Sequence, residues 1–194
     1  TNAFRICKQN NLTNKLKVYI SLGSMFGGKI MILRPTKIED ISRVIDIINQ
    51  AKTYFKNNDI DQWQDGYPNE ETIEKDIENN EAYVLEEDGV ILGTCMVTIH
   101  GEPAYNRIEG KWILNCPYIC VHRIAVDNEY KGKGLASTIL DQVVAMYPDY
   151  HSVRMDTHHD NLSMQSFLTK YGFKYCGEIT LKSGALRRAY EKRI

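Results

Sequence analysis

The sequence lacks several features that would place it in a large class of proteins. No uninterrupted apolar run approaches the roughly 20 residues that a transmembrane helix needs. Lysine and arginine number 24 against 25 acidic residues, so no basic excess indicates nucleic-acid binding. We therefore expect neither a membrane nor a nucleic-acid partner, and any phosphate binding must be local.

Cysteine is sparse and poorly arranged for disulfides or metals. The five cysteines stand at positions 7, 95, 116, 120 and 176. An odd count predicts no disulfide framework, and Cys116 and Cys120 lack further ligands at metal-site spacing. His158 and His159 also lack Asp, Cys or His partners at such spacing. We predict a reducing, cytoplasmic chain without a metal ion.

The first 30 residues differ in character from the rest. Residues 18–26 weakly resemble a signal peptide, but glycine and serine interrupt them and no small-x-small cleavage site follows. Residues 27–31 read Gly-Gly-Lys-Ile-Met, which a purine-rich ribosome-binding element followed by a start codon would encode. We predict that residues 1–30 are an N-terminal extension, either a translated leader or an extra strand that contacts a neighbouring chain. In the second case the protein would form a homodimer. Residues 31–194 are long enough for one domain.

From Met31 onward the hydrophobic periodicity alternates between strand and helix. A capping box between Thr36 and Glu39 begins a helix over residues 38–55, and Asn69 caps a second. Two further helices follow residue 134 and residue 160. Strands are predicted at residues 31–34, 82–86, 90–99, 118–126, 152–156, 173–181 and 185–191. This order predicts an α/β (α+β) fold, in which helices flank a mixed central sheet.

The most informative segment is a basic, glycine-rich turn between a strand and a helix. Glycine lets the backbone approach a ligand, lysine adds positive charge, and free N–H groups at the helix start favour an anion. The pattern predicts a phosphate or pyrophosphate site. The residues of this turn are Lys131, Gly132, Lys133, Gly134, Leu135, Ala136 and Ser137.

Spacing separates the phosphate-binding patterns that this turn resembles. A P-loop requires Ser or Thr directly after its Gly-Lys pair, but Gly134 follows Lys133. A dinucleotide fingerprint fits better, with Asp156 about twenty residues further on, yet residues 127–131 separate the strand from the turn. The segment more closely resembles the acetyl-CoA loop of the GNAT N-acetyltransferase superfamily. That pattern, Arg/Gln-x-x-Gly-x-Gly/Ala, matches residues 131–136 with lysine in first position.

The resemblance extends across residues 31–194. Residues 31–36 resemble the first strand of the family and residues 123–127 its fourth, while Asn161 and the Gly172-Phe173 pair bracket its last helix. The resemblance implies a GNAT fold and acetyl transfer from acetyl-CoA to a primary amine of a small molecule or peptide. A non-catalytic acyl-CoA-binding sensor module is the alternative.

The resemblance also implies roles for particular residues in binding acetyl-CoA. The backbone N–H of Ile124 would stabilise the thioester oxyanion, and the pantetheine arm would pair with Ile124, Ala125 and Val126. The pyrophosphate would rest on residues 131–137, and Asn161 would contact the CoA arm while capping its helix. The tyrosine that commonly protonates the leaving thiolate is replaced by Leu168, and Tyr171 is expected to pack instead.

The amine acceptor needs a base and a binding surface. Alternation along the fourth strand predicts that Cys120, His122 and Ile124 share one face, which makes His122 the expected general base. In the arylalkylamine branch of the superfamily, a second histidine stands at the position of Cys120. The expected acceptor contacts are Trp63, Tyr67 and Cys120, with Asp65, Glu102 and Glu109 available to hold a cationic amine.

Overall fold

The computed structural model describes residues 24–26 and 29–194. Most of the predicted extension and of its signal-like stretch lies outside the described residues. The strands are β1 (Ser24–Phe26), β2 (Lys29–Pro35), β3 (Ala82–Glu87), β4 (Val90–Thr98), β5 (Glu109–Gly110), β6 (Ile119–Val126), β7 (Ser152–Thr157), β8 (Lys174–Thr180) and β9 (Leu186–Arg193). The helices are α1 (Ile41–Asn57), α2 (Glu70–Glu78), α3 (Leu135–Met146) and α4 (Leu162–Tyr171).

The described strands form a single mixed sheet. Its order is β1-β2-β3-β4-β6-β7-β9-β8-β5, and every neighbouring pair is antiparallel except β6 and β7. The parallel pair is joined only at Ile119↔Val153 and Cys120↔Arg154. Beyond these residues β6 and β7 separate, and the gap between them opens toward their carboxyl ends.

Helices cover both faces of this sheet, as the sequence predicts. On one face, Leu135, Ile139 and Leu140 of α3 pack with sheet residues in the main core cluster, which also contains Leu168 of α4. On the other, residues of α1 recur at helical spacing and pack against Val84, Ile91 and Ala125. Burial of these two apolar surfaces fixes the strands that surround the gap.

Local signals at element boundaries are confirmed with one correction. Asn69 accepts a hydrogen bond from the Thr72 N–H at the start of α2, and Asp88 and Gly89 turn the β3–β4 hairpin with φ of 50° and 81°. The predicted capping box between Thr36 and Glu39 is wrong by one residue. It joins Lys37 and Asp40 across a 3-10 turn, Ile38–Asp40, that leads into α1. The carboxylate of Asp40 accepts from the Lys37 N–H at 2.8 Å, because Arg34 holds that carboxylate in place.

No helix in the described part of the chain combines the length and the apolarity required to cross a bilayer.

Candidate functional site

A cleft of about 600 Å³ occupies the gap between β6 and β7. Its walls come from the loop 58–69 between α1 and α2, from β6 and β7, from the start of α4, and from the β8–β9 turn. The cleft exists because the two parallel strands pair at only two positions before they separate.

A β-bulge in β6 shapes the inner wall of the cleft. Thr94 pairs with Ala125 but Met96 pairs with His122, so two residues of β6 oppose the single residue Cys95. Arg123 takes a left-handed conformation, with φ of 51°. A bulge interrupts the ladder locally, so we expect backbone groups near residues 123 and 124 to be released from it.

The bulge overturns the predicted alternation along this strand. Ile124 packs with Val121 in the core beneath α3, whereas the Cys120 side chain lies in the cluster on the opposite face, where it contacts His122. Ile124 therefore does not share a face with Cys120 and His122, because the extra residue reverses the side-chain alternation. The proposed role of Ile124 concerns its backbone, and the residue still lines the cleft beside His122.

An ion pair holds the bulge in its unusual conformation. The Arg123 guanidinium donates from Nη2 to Asp76 Oδ1 at 2.7 Å and from Nε to Asp76 Oδ2 at 3.0 Å, and its Nη1 donates to the Tyr67 hydroxyl. Both charged side chains are largely buried. Burial raises the pKa of Asp76 despite the neighbouring guanidinium. These contacts tie β6 to α2 and to the loop before it.

His122 lies at the centre of a polar cluster on the cleft wall. Its Nε2 atom is 3.0 Å from Cys120 Sγ and 3.5 Å from Glu102 Oε2, and its Nδ1 atom is 3.6 Å from Asp156 Oδ1. Burial disfavours the imidazolium, but the contacts with Cys120, Glu102 and Asp156 outweigh it. The pKa of His122 therefore lies well above its ordinary value.

Each carboxylate in this cluster is held by its own partners. Glu102 accepts from the Ala104 N–H at 3.1 Å, and Asp156 accepts from the hydroxyl of the buried Tyr105 at 2.8 Å. The hydrogen bond to His122 lowers the pKa of Glu102, whereas burial and Asp156 raise the pKa of Tyr105. Sequence reasoning missed Tyr105, because nothing local distinguishes it from other loop aromatics.

The loop that carries Glu102 and Tyr105 is fastened to the far edge of the sheet. Glu109 and Gly110 pair with Glu178 and Gly177 of β8. A Cβ atom on Gly177 would lie 2.3 Å from the Glu109 carbonyl oxygen, and one on Gly110 would lie 2.2 Å from the carbonyl oxygen of Cys176. Only glycine at these two positions lets the backbones of β5 and β8 come this close. Their contact anchors the loop that carries Glu102.

The glycine turn lies at the carboxyl end of β6, as predicted, and leads into α3. Gly132 and Gly134 both have φ of 78°. Asp127 fixes the beginning of the turn, since Gln50 Nε2 donates to its carboxylate at 3.1 Å and Arg43 forms an ion pair with it. The left-handed backbone at two positions explains the requirement for glycine.

This turn presents unpaired donors of the kind that bind phosphate. Among the described contacts, no acceptor is found for the backbone N–H groups of Gly132, Gly134, Leu135, Ala136 and Ser137. No atom lies within 4 Å of a Cβ built on either glycine, so the space beside them is open. Free amides, a helix start and two lysines together fit a pyrophosphate group.

The two lysines of the turn rest on aromatic rings. Lys131 Nζ lies 4.7 Å from the centroid of Tyr54, and Lys133 Nζ lies 4.7 Å from that of Tyr130. Burial lowers the pKa of Lys131. Cation–π contacts hold both charges beside the turn.

Asn161 and Gln62 face each other across the mouth of the cleft. Asn161 Oδ1 accepts from the Met164 N–H at 3.1 Å, which confirms the capping role, and its Nδ2 donates to Gln62 Oε1 at 3.1 Å. Leu168, at the usual tyrosine position, is fully buried in the core. The Tyr171 hydroxyl donates to Asp141, and its ring stacks on Phe173, consistent with a packing role.

The predicted acceptor contacts are only partly assembled at the cleft. Trp63 and Tyr67 both line it, and Trp63 also packs edge-on against Phe55, with centroids 5.4 Å apart. Cys120 does not line it: its side chain is completely buried behind His122. Its position supports the imidazole rather than offering a surface to a substrate.

One group of metal-ligand side chains occurs within the described residues. Potential ligand atoms of His158, His159 and Asp160 lie within 4.8 Å of one another. The expectation that the two histidines lack a partner is therefore wrong, because Asp160 lies beside them. His158 Nδ1 already accepts from the Asp160 N–H at 3.2 Å, so this nitrogen is occupied by a hydrogen bond.

Comparison with known proteins agrees with the geometry. Residues 44–173 match the family described as the acetyltransferase (GNAT) family. A GNAT-family acetyltransferase structure from Streptococcus agalactiae 2603 is 35% identical with a TM-score of 0.77, covering 88% of this chain and 98% of its own. A second from Listeria monocytogenes 4b F2365, at 19% identity and a TM-score of 0.67, covers 89% and 99% and supports the fold.

A curated relative adds information about chemistry. It is named S-alkylcysteine N-acetyltransferase, comes from Bacillus subtilis (strain 168), and is 30% identical over 115 residues. The match spans 58% of this chain and 58% of that relative. The family match covers most of the described chain, and the fold and the glycine turn agree with it; the chain belongs to the GNAT acetyltransferase family.

Proposed function

We propose that this acetyltransferase moves the acetyl group of acetyl-CoA onto the primary amine of a small molecule or peptide. The observation that carries the proposal is the arrangement along β6: a phosphate-binding turn at the end of this strand, a bulge within it, and His122 between two carboxylates. Each part suits one requirement of acyl transfer to an amine.

The donor would be held mainly by backbone groups. Free amides of Gly132 and of residues 134–137 would bind the pyrophosphate, with Lys131 and Lys133 adding positive charge and Ser137 a hydroxyl. Backbone groups of Ile124, Ala125 and Val126 would bind the pantetheine arm, and the Asn161 amide would reach it from the opposite wall. Acetyl-CoA itself supplies an acetyl group activated as a thioester.

The Ile124 N–H is the proposed donor to the oxyanion that develops during transfer. The bulge beside it frees backbone groups from the sheet while the surrounding strand keeps them rigid. A fixed donor of this kind typically contributes about 3 to 4 kcal/mol to transition-state stabilisation. Because the donor is backbone, replacing the Ile124 side chain should have little effect on it.

His122 is the proposed general base for the incoming ammonium group. Its imidazole lines the cleft beside the bulge, and Cys120, Glu102 and Asp156 fix its orientation. The neighbours that raise its pKa make it a stronger base, but they also reduce the neutral fraction at low pH. Activity should therefore rise with pH as His122 loses its proton, and the midpoint of this rise should lie above the ordinary pKa of histidine.

The departing thiolate has no tyrosine at the expected place. Leu168 is buried, and Tyr171 is engaged with Asp141. We propose that solvent water protonates the thiolate, whose basicity is low enough for water to do so.

Two further observations support the assignment. The Bacillus subtilis relative is named for an acceptor that carries an amine, which favours an amine acceptor here. Cys95, Cys116, Cys120 and Cys176 are free thiols, which supports the proposed cytoplasmic location.

The test measures free thiol released from acetyl-CoA across polyamines, amino acids, aminoglycosides and peptide N-termini. We expect release with at least one class. Binding of CoA without turnover on any amine would support the sensor alternative. Thermal stabilisation by NAD but not by CoA would support the dinucleotide alternative, since ligands stabilise the fold that binds them.

A further inference from the structure

Charges of opposite sign line different parts of the cleft. Glu102 and Asp156 flank His122 on the inner wall, and the loop 58–69 adds Asp61 and Asp65. The β8–β9 turn and the start of β9 bring Lys182 and Arg187 to the same cleft. An acceptor in this space therefore meets carboxylates at the reacting position and cations in the wall formed by β8 and β9.

Not every cation at the cleft is available to a ligand. Arg123 is committed to Asp76 and Tyr67. Arg187, by contrast, donates only to the carbonyl oxygen of its neighbour Leu186, at 2.9 Å. Within the part of the chain that the structure describes, no carboxylate forms an ion pair with Arg187.

The register of β7 and β9 places Arg187 close to Asp156. Asp156 is paired with Ala189, and Ala189 packs in the same cluster as Tyr105, which binds Asp156. Arg187 is two residues from Ala189 on the same strand, so its side chain projects from the same face. Two residues of extended chain span about 7 Å, a distance that an arginine side chain can bridge.

We propose that the acceptor is a free α-amino acid, whose ammonium group lies beside His122 and the two carboxylates that flank it, and whose α-carboxylate is bound by Arg187. The inference rests on the proposed function and narrows its substrate class. Carboxylates match an ammonium, and a guanidinium matches a carboxylate through paired hydrogen bonds. A polyamine or an aminoglycoside would leave Arg187 without an anionic partner.

The experiment compares acceptors that differ at one group. L-leucine, L-leucinamide and 3-methylbutylamine share the same alkyl chain and amine, but only leucine has the carboxylate; spermidine represents the polyamines. Thiol release from acetyl-CoA gives kcat/KM for each. We expect leucine to exceed the other three by about tenfold or more, because a charge-assisted pair is lost in each of them. The amine of leucinamide is less basic than that of leucine, so a larger fraction of it is deprotonated at neutral pH. This difference alone would favour leucinamide, which makes a preference for leucine more informative.

Variants of Arg187 make the comparison specific. Arg187→Met should lower kcat/KM for leucine about tenfold yet change that for 3-methylbutylamine less than about twofold, and Arg187→Lys should restore part of the loss. Lys174→Met, an exposed change on β8 away from the cleft, is the matched control. Equal use of leucine and 3-methylbutylamine would overturn the α-amino-acid assignment while leaving amine acetylation intact. Absence of thiol release with every amine would instead overturn the proposed function.

Discussion

His122 Nδ1 lies 3.6 Å from Asp156 Oδ1 across the point where β6 and β7 separate. The two residues belong to parallel strands that share only two paired positions, so a histidine on one and a carboxylate on the other meet at the opening. Glu102 approaches the same imidazole from a loop more than fifty residues before Asp156 in sequence. Three separate segments thus converge on one ring.

Replacement of His122 by glutamine should remove the base while keeping a polar side chain. We expect kcat to fall by roughly 10² to 10⁴, the usual contribution of a general base, with the Kd for CoA nearly unchanged. The measurement is kcat/KM for the amine against pH. If the variant keeps the acidic limb of the wild type, another group titrates and His122 is not the base.

Glu102→Gln should move the acidic limb to lower pH. The Glu102 carboxylate is one of the groups that raise the pKa of His122, so its neutralisation lowers that pKa and makes the neutral imidazole available at lower pH. The check is the same pH profile, with Glu109→Gln, on the same loop but outside the cleft, as control. A limb that stays in place or moves upward would contradict the proposed electrostatics.

The lysines of the glycine turn should affect the binding of acetyl-CoA and not the binding of the amine acceptor. Lys131→Glu combined with Lys133→Glu places negative charge beside the free amides of Gly132 and residues 134–137, so we expect KM for acetyl-CoA to rise by about tenfold or more. Titration calorimetry with CoA provides an independent Kd. Charge reversal of exposed Lys170 and Lys174 is the matched control, and an unchanged KM for the turn variant would refute the phosphate cradle.

The ion pair between Asp76 and Arg123 should stabilise the fold as well as the bulge. Asp76→Ala would leave a largely buried guanidinium without its carboxylate, which typically costs about 3 to 5 kcal/mol. Chemical denaturation of the variant at pH 7 measures the loss. Asp46→Ala, on the exposed side of α1, is the comparison; equal stability of the two variants would show that the pair is dispensable.

Much of this architecture could be predicted from the sequence because local patterns were consistent. Hydrophobic periodicity gave the order of strands and helices, and the glycines at 132 and 134 occupy the left-handed positions that favour glycine. The bulge at Arg123 could not be predicted from the sequence, because arginine is not a residue type that indicates a positive φ. The predicted alternation of side chains also assumes a ladder without a bulge. The meeting of Glu102, Tyr105 and Asp156 with His122 depends on tertiary packing, which no local pattern encodes.

The proposed transfer of an acetyl group to an amine in this cleft, with His122 as base, can be tested in one reaction. The most direct measurement follows one reaction by thiol detection and by mass spectrometry of the amine, using wild type and His122→Gln at equal concentration. We expect one N-acetylated amine for every CoA thiol released by the wild type, and a rate lower by roughly 10² to 10⁴ in the variant. Thiol release without an acetylated amine, or an undiminished rate in the variant, would contradict the proposed function.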